Sequence, residues 1–197
     1  MSFPINFRKR TNQGDFMLRR ISLLIVFAAM AALPCSAQTA ASVVCPSIRD
    51  VNTFVQAWND AVIGPGSRSH ACMLALLTLD ARITGVVMGK DGKSSLVTES
   101  PKEFVGWYEQ RPNETFWERT LHSTVEVYAN VARITRTYEV RSSPTGPVMA
   151  TGIEDFQLVR ERADGPGSEW KVFAMLWQDA APGKPLPKRY LPDSRQP

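Results

Sequence analysis

The stretch from Val125 to Trp177 constrains the fold most, because its pattern indicates a succession of long β-strands. The predicted strands are Val125–Val127 continuing across a tight turn into Val131–Val140, then Val148–Arg160 and Trp170–Trp177. A segment rich in glycine and proline, Arg162–Ser168, separates the last two and predicts a turn. Long antiparallel strands bury one face, so we expect helical segments upstream to cover this sheet.

Three helical patterns precede these strands. The first begins near a capping Ser47 and extends over about 15 residues with apolar side chains at helical spacing. The second is predicted from Ser69 to Leu79, and Asp80 is expected to serve as a turn or capping residue rather than a catalytic one. The third has the clearest start, because Ser100 and Glu103 form a predicted capping box around Pro101.

Between and after these helices, the pattern predicts further strands and a tail. Ala81–Met88 is rich in β-branched residues, and Thr115–Tyr128 is expected to be a long strand with a bulge near Glu118. Gly89–Ser95 is predicted to be a flexible loop, because its glycine spacing does not match a phosphate-binding loop. The proline-rich segment 179–197 is predicted to be a flexible tail with little structure.

The N-terminal 37 residues are predicted to be a signal peptide that is removed on export. Arg19 and Arg20 precede an apolar run, Ile21–Leu33, and a small-residue cleavage site before Gln38. Lipid attachment at Cys35 and twin-arginine export are alternatives, and Met17 could be the true start. The mature chain would then have a short linker at 38–46 and one domain at 47–178, with a periplasmic or secreted location and no stable membrane span.

Charge and cysteine usage narrow the function classes. Of 23 lysine and arginine residues, five precede Gln38, and of 19 acids only Asp15 does, which leaves 18 of each sign in the mature chain. No net field would therefore attract nucleic acid or anionic lipid. Cys45 and Cys72 could form a disulfide, but a 15-residue helix between them would span about 22 Å, so two buried thiols are the alternative.

The order of helices and strands resembles the nuclear-transport-factor-2-like (NTF2-like) superfamily, and its SnoaL-like branch in particular. The motifs that carry the resemblance are Phe54-x-x-x-Trp58-Asn59, Leu79-Asp80-Ala81, Val131-Ala132-Arg133-Ile134, Gly152-x-x-x-Phe156 and Trp170-Lys171-Val172. The resemblance implies an α+β fold of the cystatin-like roll type: a cone-shaped antiparallel sheet of about 4–6 strands wrapped around three N-terminal helices and enclosing a pocket. Relatives often pair through the outer sheet face, which would bury Thr135 and Thr137 between subunits.

The same resemblance bears on chemistry, because ketosteroid isomerase is a member of the superfamily. That enzyme has a tyrosine at the position where this chain has Phe54. It has its general base where this chain has Gly85, and a second pocket carboxyl where this chain has Glu154. SnoaL-like domains often carry a histidine pair where this chain has Ala174 and Leu176. The resemblance therefore implies a pocket more apolar than in the catalytic relatives, and no cofactor.

Two residues are candidate catalytic groups. Glu154 alternates with Phe156 and Leu158, so it is expected to face inward. It would be a general acid or base if unpaired, or a structural partner of Arg119 or Arg136, in which case its pKa should be depressed. His122 is a second candidate on a long strand, with a structural hydrogen bond as the alternative, whereas His70 is expected to lie inert on the polar side of its helix.

Seven aromatic residues are predicted to wall an apolar site: Phe54, Trp58, Trp107, Tyr138, Phe156, Phe173 and Trp177. No spacing among His, Cys, Asp and Glu argues for a metal, and no nucleophile motif is present. Three functions stay open: binding of a small hydrophobic ligand, a cofactor-free lyase, isomerase or hydrolase using Glu154 with His122, and a structural homodimer module.

Overall fold

The computed structural model describes residues 44–89, 92–160, 168–181 and 183–192. The predicted signal peptide and most of the predicted turn at 162–168 lie outside these residues. Seven strands make up the described sheet: β1 (Gly64–Pro65), β2 (Leu77–Met88), β3 (Ser94–Glu99), β4 (Thr115–Tyr128), β5 (Val131–Arg141), β6 (Val148–Val159) and β7 (Lys171–Asp179). The helices are α1 (Phe54–Val62), α2 (Ala71–Ala75) and α3 (Pro101–Glu109), with 3-10 turns at Val51–Thr53 and Lys188–Tyr190.

The strands lie in the order β1-β4-β5-β6-β7-β2-β3 in one curved sheet. Strands β4 to β7 form an antiparallel meander in chain order, whereas β7 pairs with β2 in parallel. The predicted α+β class is confirmed, but the expected 4–6 strands and the wholly antiparallel sheet are wrong. The parallel pair arises because the last strand of the meander returns beside β2, which precedes the meander.

The helices differ in how well the sequence predicted them. Helix α3 has the expected capping box, because the Ser100 side chain accepts a hydrogen bond from the Glu103 backbone and the Glu103 side chain accepts one in return. The first helix is shorter than expected, and the 3-10 turn that precedes it is capped by Asp50 rather than Ser47. The second ends at Ala75, because Leu77 already pairs with β7; Asp80 therefore lies exposed within β2 and caps nothing.

The strand that the sequence analysis did not predict is β3. Its residues, Ser94–Glu99, form an antiparallel pair with β2. Ser94 and Ser95 had been assigned to the loop Gly89–Ser95, and residues 96–99 had no assignment. Strand β4 matches the prediction at both ends, although its register shifts between Thr120 and His122 rather than near Glu118.

The inner face of the sheet, which packs against α1 and α3, holds the hydrophobic core. Phe156 lies between Phe54 and Trp58, with ring centroids 5.1 and 5.0 Å away. Trp58 also stacks on Phe104 of α3, with ring centroids 6.3 Å apart. These edge-to-face and stacked contacts fill the space between helices and sheet. Alternate residues of each strand point to the opposite, outer face.

Cys45 and Cys72 form a disulfide with their Cα atoms 5.1 Å apart. The expected separation of about 22 Å is wrong, because the chain does not run as one helix from Cys45. Instead, β7 holds both segments: the Trp170 amide donates to the Ile48 carbonyl, and the Val172 amide donates to the Leu76 carbonyl. These two bonds place the segment after Cys45 beside the end of α2.

The C-terminal segment carries more regular structure than predicted. The Ala180 amide donates to the Thr151 carbonyl and prolongs the pairing of β7 with β6. Residues 188–190 form a 3-10 turn, and the Thr137 hydroxyl of β5 donates to the Tyr190 carbonyl.

Candidate functional site

The chemically most distinctive feature of the inner face is the guanidinium of Arg136, whose side chain is completely buried. Its Nε donates to Glu154 Oε2 at 2.5 Å, and its Nη2 contacts both Glu154 and Glu118. The two carboxylates come from β6 and β4, the strands on either side of β5. Two acids therefore share one buried cation.

The remaining donor group of Arg136 is bound to polar side chains. Its Nη1 donates to Asn59 Oδ1 at 2.5 Å and to the Thr120 hydroxyl at 3.1 Å. Asn59 lies on α1, so the guanidinium joins this helix to three neighbouring strands. Each of the three guanidinium nitrogens of Arg136 therefore has a hydrogen-bond partner, as a buried arginine requires.

The charges in this cluster shift each other's protonation. Burial raises the pKa of Glu154 to about 8; Arg136 lowers it and the nearby Glu118 raises it. Burial lowers the pKa of Arg136, but the two carboxylates more than offset this and the pKa is raised overall. The expectation that pairing with an arginine depresses the pKa of Glu154 is wrong, because burial of the carboxyl outweighs the attraction of Arg136, and Glu118 raises the pKa further.

Tyr138 extends the cluster towards the end of β7. Its hydroxyl donates to Asp179 Oδ1 at 2.6 Å. Burial, and then the charge of Asp179, raises the pKa of Tyr138, and partial burial raises that of Asp179. The phenol lies directly over Gly152, where a Cβ would come within 2.4 Å of the Tyr138 oxygen. Glycine at 152 thus makes room for this hydrogen bond.

The position that corresponds to the general base of ketosteroid isomerase, Gly85, is covered. A Cβ built there would lie 2.3 Å from the indole of Trp177, which pairs with Gly85 across the parallel strands. A larger residue at 85 could not coexist with this indole.

Most of the predicted pocket residues belong to the packed core. Phe54, Trp58, Tyr138 and Phe156 are buried, and Trp107 and Trp177 are half-buried and pack against the core. Two clefts stand out in the described part of the chain, of about 500 and 420 Å³, and neither is lined by any of these six residues. The side chains that were expected to wall a pocket thus belong to, or pack against, the hydrophobic core.

The two histidines are separated from the Glu154 cluster by the sheet or by packing. His122 pairs with Thr137, whereas Glu154 pairs with the adjacent Arg136, so the two candidate catalytic residues point to opposite faces. His70 is buried rather than on a polar face, because its Nδ1 lies 3.2 Å from the Ala61 carbonyl and its ring packs against Tyr108. Neither histidine can share a proton with Glu154 in this arrangement.

The outer face differs from the inner one in carrying exposed apolar side chains. We define the outer patch as Tyr128, Val131, Phe173 and Leu176, which are 80, 52, 47 and 54% exposed. The first three line the larger cleft together with Glu126, Arg133 and Gln157. Leu176 points to the same face, because it pairs with outward Asp155. Phe173 is the one predicted pocket residue that reaches a cleft, and this cleft lies outside the cone.

Charged side chains on the outer face form pairs that solvent can reach. Arg133 is bonded to Asp155, and Glu139 accepts from Arg119 and Arg141. The hydrogen bond from Arg141, followed by Arg119, keeps the pKa of Glu139 below its usual value despite its burial. Arg119, the other predicted partner of Glu154, is therefore engaged elsewhere.

Two further properties concern the described residues as a whole. Their His, Cys, Asp and Glu side chains include no group of three or more placed to hold a metal ion. No helix among them has the length and apolar character that crossing a membrane requires.

The chain matches no protein-family model and no curated protein. It is similar to solved structures, among them an NTF2-like protein of unknown function from Shewanella baltica (14% identity, TM-score 0.43, covering 64% of this chain and 89% of that one). Others are a candidate ketosteroid isomerase from Parabacteroides distasonis (14%, 0.44, 66% and 89%) and a cystatin-like protein of unknown function from Nostoc punctiforme (9%, 0.46, 68% and 95%). These neighbours agree with the NTF2-like resemblance, and at TM-scores below 0.5 they carry no argument about activity or partner.

Proposed function

We propose that this protein is an exported SnoaL-like domain that serves as an interaction module, pairing with a second copy of itself through the outer patch. The observation that carries the proposal is the unequal exposure of apolar side chains on the two faces. The rings that could have bound a hydrophobic molecule pack on one another inside, whereas Tyr128, Phe173 and Leu176 are exposed outside. Contiguous exposed apolar residues rimmed by polar ones are typical of interaction surfaces.

A second copy fits this surface because the patch is bordered by both signs of charge. Glu126 and Arg133 pair across β4 and β5 and line the same cleft as Phe173. An interface related by a two-fold axis must be complementary to itself, which a border of both signs allows. The mature chain has 18 charges of each sign by count, so two copies would not repel at long range. Pairing through this face is also what the family resemblance implies.

The test is the association state of the purified protein by sedimentation equilibrium. We expect a concentration-dependent dimer that Phe173→Asp and Leu176→Asp each weaken at least tenfold, because a charge buried at an interface costs more than 1.4 kcal/mol. Leu79→Asp is the matched control, since Leu79 is fully exposed elsewhere in the sheet. A monomer at every concentration, or equal weakening by the control, would contradict the proposal.

Export is part of the proposal and is supported by the disulfide. Cys45 and Cys72 are bonded, and such bonds persist in oxidising compartments. We expect the mature N-terminus to be Gln38, as read from the intact mass of the exported protein. A mass that retains residues 21–37, or that includes lipid on Cys35, would overturn this.

A second candidate function is favoured by the raised pKa of the buried Glu154. A buried carboxyl with a pKa of about 8 is suited to acid–base chemistry on a bound small molecule. This candidate combines the predicted ligand binding with the predicted catalysis, but it uses Glu154 without His122. The packed rings would have to separate to admit a ligand. Saturable binding of the apolar dye anilinonaphthalene sulfonate that Glu154→Gln alters would support this candidate, and absence of saturable binding would exclude it.

A further inference from the structure

The described part of the C-terminal segment, residues 183–192, lies against the outer face of the sheet. It follows β7, whose last residue, Asp179, pairs with Gly152 of β6. The same segment contacts β5, where the Thr137 hydroxyl donates to the Tyr190 carbonyl. We call residues 183–192 the tail segment.

The burial of Thr137 shows what the tail segment covers. Thr137 points outward, because it pairs with Ile153 and neighbours inward Arg136, yet it is only 1% exposed. Thr135, the next outward residue on β5, is half-buried and donates instead to Asp155 at 2.9 Å. A threonine on an outer face is shielded to this extent only where another segment lies over it.

The covered area adjoins the outer patch. Thr137 and Ile153 belong to one outward row of the sheet, and the next outward row along the same strands is Thr135, Asp155 and Leu176. Arg133, the outward residue that follows Thr135 on β5, lines the cleft that contains Phe173. The row of Thr137 therefore lies next to the row that includes Leu176 of the outer patch.

The tail segment is held by few contacts. Most of its residues are exposed, and only Leu186 and Tyr190 are half-buried. Segments with few buried apolar contacts open at low free energy, so this one can leave the sheet without unfolding the domain.

We infer that the tail segment is an intramolecular cover that competes with a second copy of the chain for the outer face. The inference rests on the proposed function and adds a means of regulating it. While the segment lies on β5, a partner reaches the outer patch but not the adjoining row of Thr137 and Ile153. When the segment leaves, the whole outer face becomes available, and pairing is tighter.

The experiment compares full-length variants that loosen the tail segment with one that does not. Thr137→Val removes the hydroxyl that donates to the Tyr190 backbone carbonyl while keeping the shape of the side chain. Tyr190→Ala keeps that carbonyl but removes a half-buried ring of the tail segment. Thr135→Val is the matched control, because it removes an outward hydroxyl on the same strand that does not bind the tail. Dimer dissociation constants are measured by sedimentation equilibrium.

We expect Thr137→Val to tighten the dimer about tenfold, because losing one hydrogen bond raises the released fraction about threefold in each of two protomers. Tyr190→Ala should tighten it as well, because the tail segment loses one of its two half-buried side chains. The control should leave the constant unchanged. A dimer of equal strength in all variants, or one weakened by Tyr190→Ala, overturns this inference alone. Absence of a dimer in every variant and in the parent chain overturns the proposed function and this inference with it.

Discussion

The two faces of the sheet are built by the same four long strands, yet they use their polar residues differently. On the inner face, Arg136 is completely buried and joins two carboxylates to α1. On the outer face, Arg133 makes a similar pair with Asp155, but its side chain is 60% exposed. The inner arrangement closes the cone, whereas the outer one leaves apolar neighbours in contact with solvent. Both faces carry an arginine–carboxylate pair, and the two pairs differ in how far they are buried. This difference in burial distinguishes the face that packs the core from the face that is available for interaction.

The largest expected effect concerns the aromatic filling of the cone. Trp58→Ala should cost about 3–5 kcal/mol of unfolding free energy, because it removes a buried ring that packs against Phe156 and Phe104. The matched change on the outer face, Phe173→Ala, should cost well under 1 kcal/mol, since Phe173 is 47% exposed. Urea unfolding measures both. Equal costs would show that the cone interior is not packed as described.

The second effect compares the two arginines. Arg136→Met should cost about 3 kcal/mol at pH 7, because it leaves Glu118 and Glu154 buried without their cation. Arg133→Met should cost much less, because its pair with Asp155 is reached by solvent. Similar costs for both arginines would break the distinction between the faces.

The smallest effect concerns the proton on Glu154. The folded pKa of about 8 lies above the ordinary value of 4.5, so the folded state holds this proton more tightly than the unfolded state. Its stabilising effect is complete below pH 4.5 and is lost as pH rises towards 8. Glu154→Gln, which cannot ionise, should therefore gain stability relative to the parent chain between pH 5 and pH 9.

This relative gain should exceed about 1 kcal/mol, the free energy of a single pKa unit. Thermal melts of both proteins at several pH values measure it, and Asp155→Asn on the outer face is the control. A relative loss of stability with rising pH would mean that Arg136 depresses the pKa of Glu154 after all.

How far the sequence predicts this molecule depends on whether a feature is local. The capping box of α3 and both ends of β4 follow from adjacent residues, and both agree with the structure. The end of α2 does not follow from adjacent residues. Leu76, Leu77 and Leu79 continue a helical pattern in the sequence, but Leu77 pairs with β7 and therefore belongs to a strand. Long-range pairing outweighs local propensity there.

The candidate site shows the same limit. The sequence left Arg136 as one of two partners for Glu154, and strand alternation correctly placed Glu154 inward. It missed Glu118, the second acid on the same guanidinium, because the bulge in β4 was expected near Glu118 itself. The register of β4 shifts only after Thr120. Side chains therefore alternate regularly between the two faces from Phe116 onward, which places Phe116 and Glu118 on the same, inner face. The cover provided by the tail depends on a contact 53 residues apart along the chain, which no local pattern predicts.

Hydroxyl-radical footprinting at low and high protein concentration tests most directly whether interaction takes place on the outer face and not in the cone. The account predicts that Tyr128, Phe173 and Leu176 lose reactivity as concentration rises, while Trp58 and Phe156 stay unreactive throughout. Leu79, exposed elsewhere, should react equally at both concentrations. Unchanged reactivity of the outer patch, together with a reactive Trp58, would contradict it.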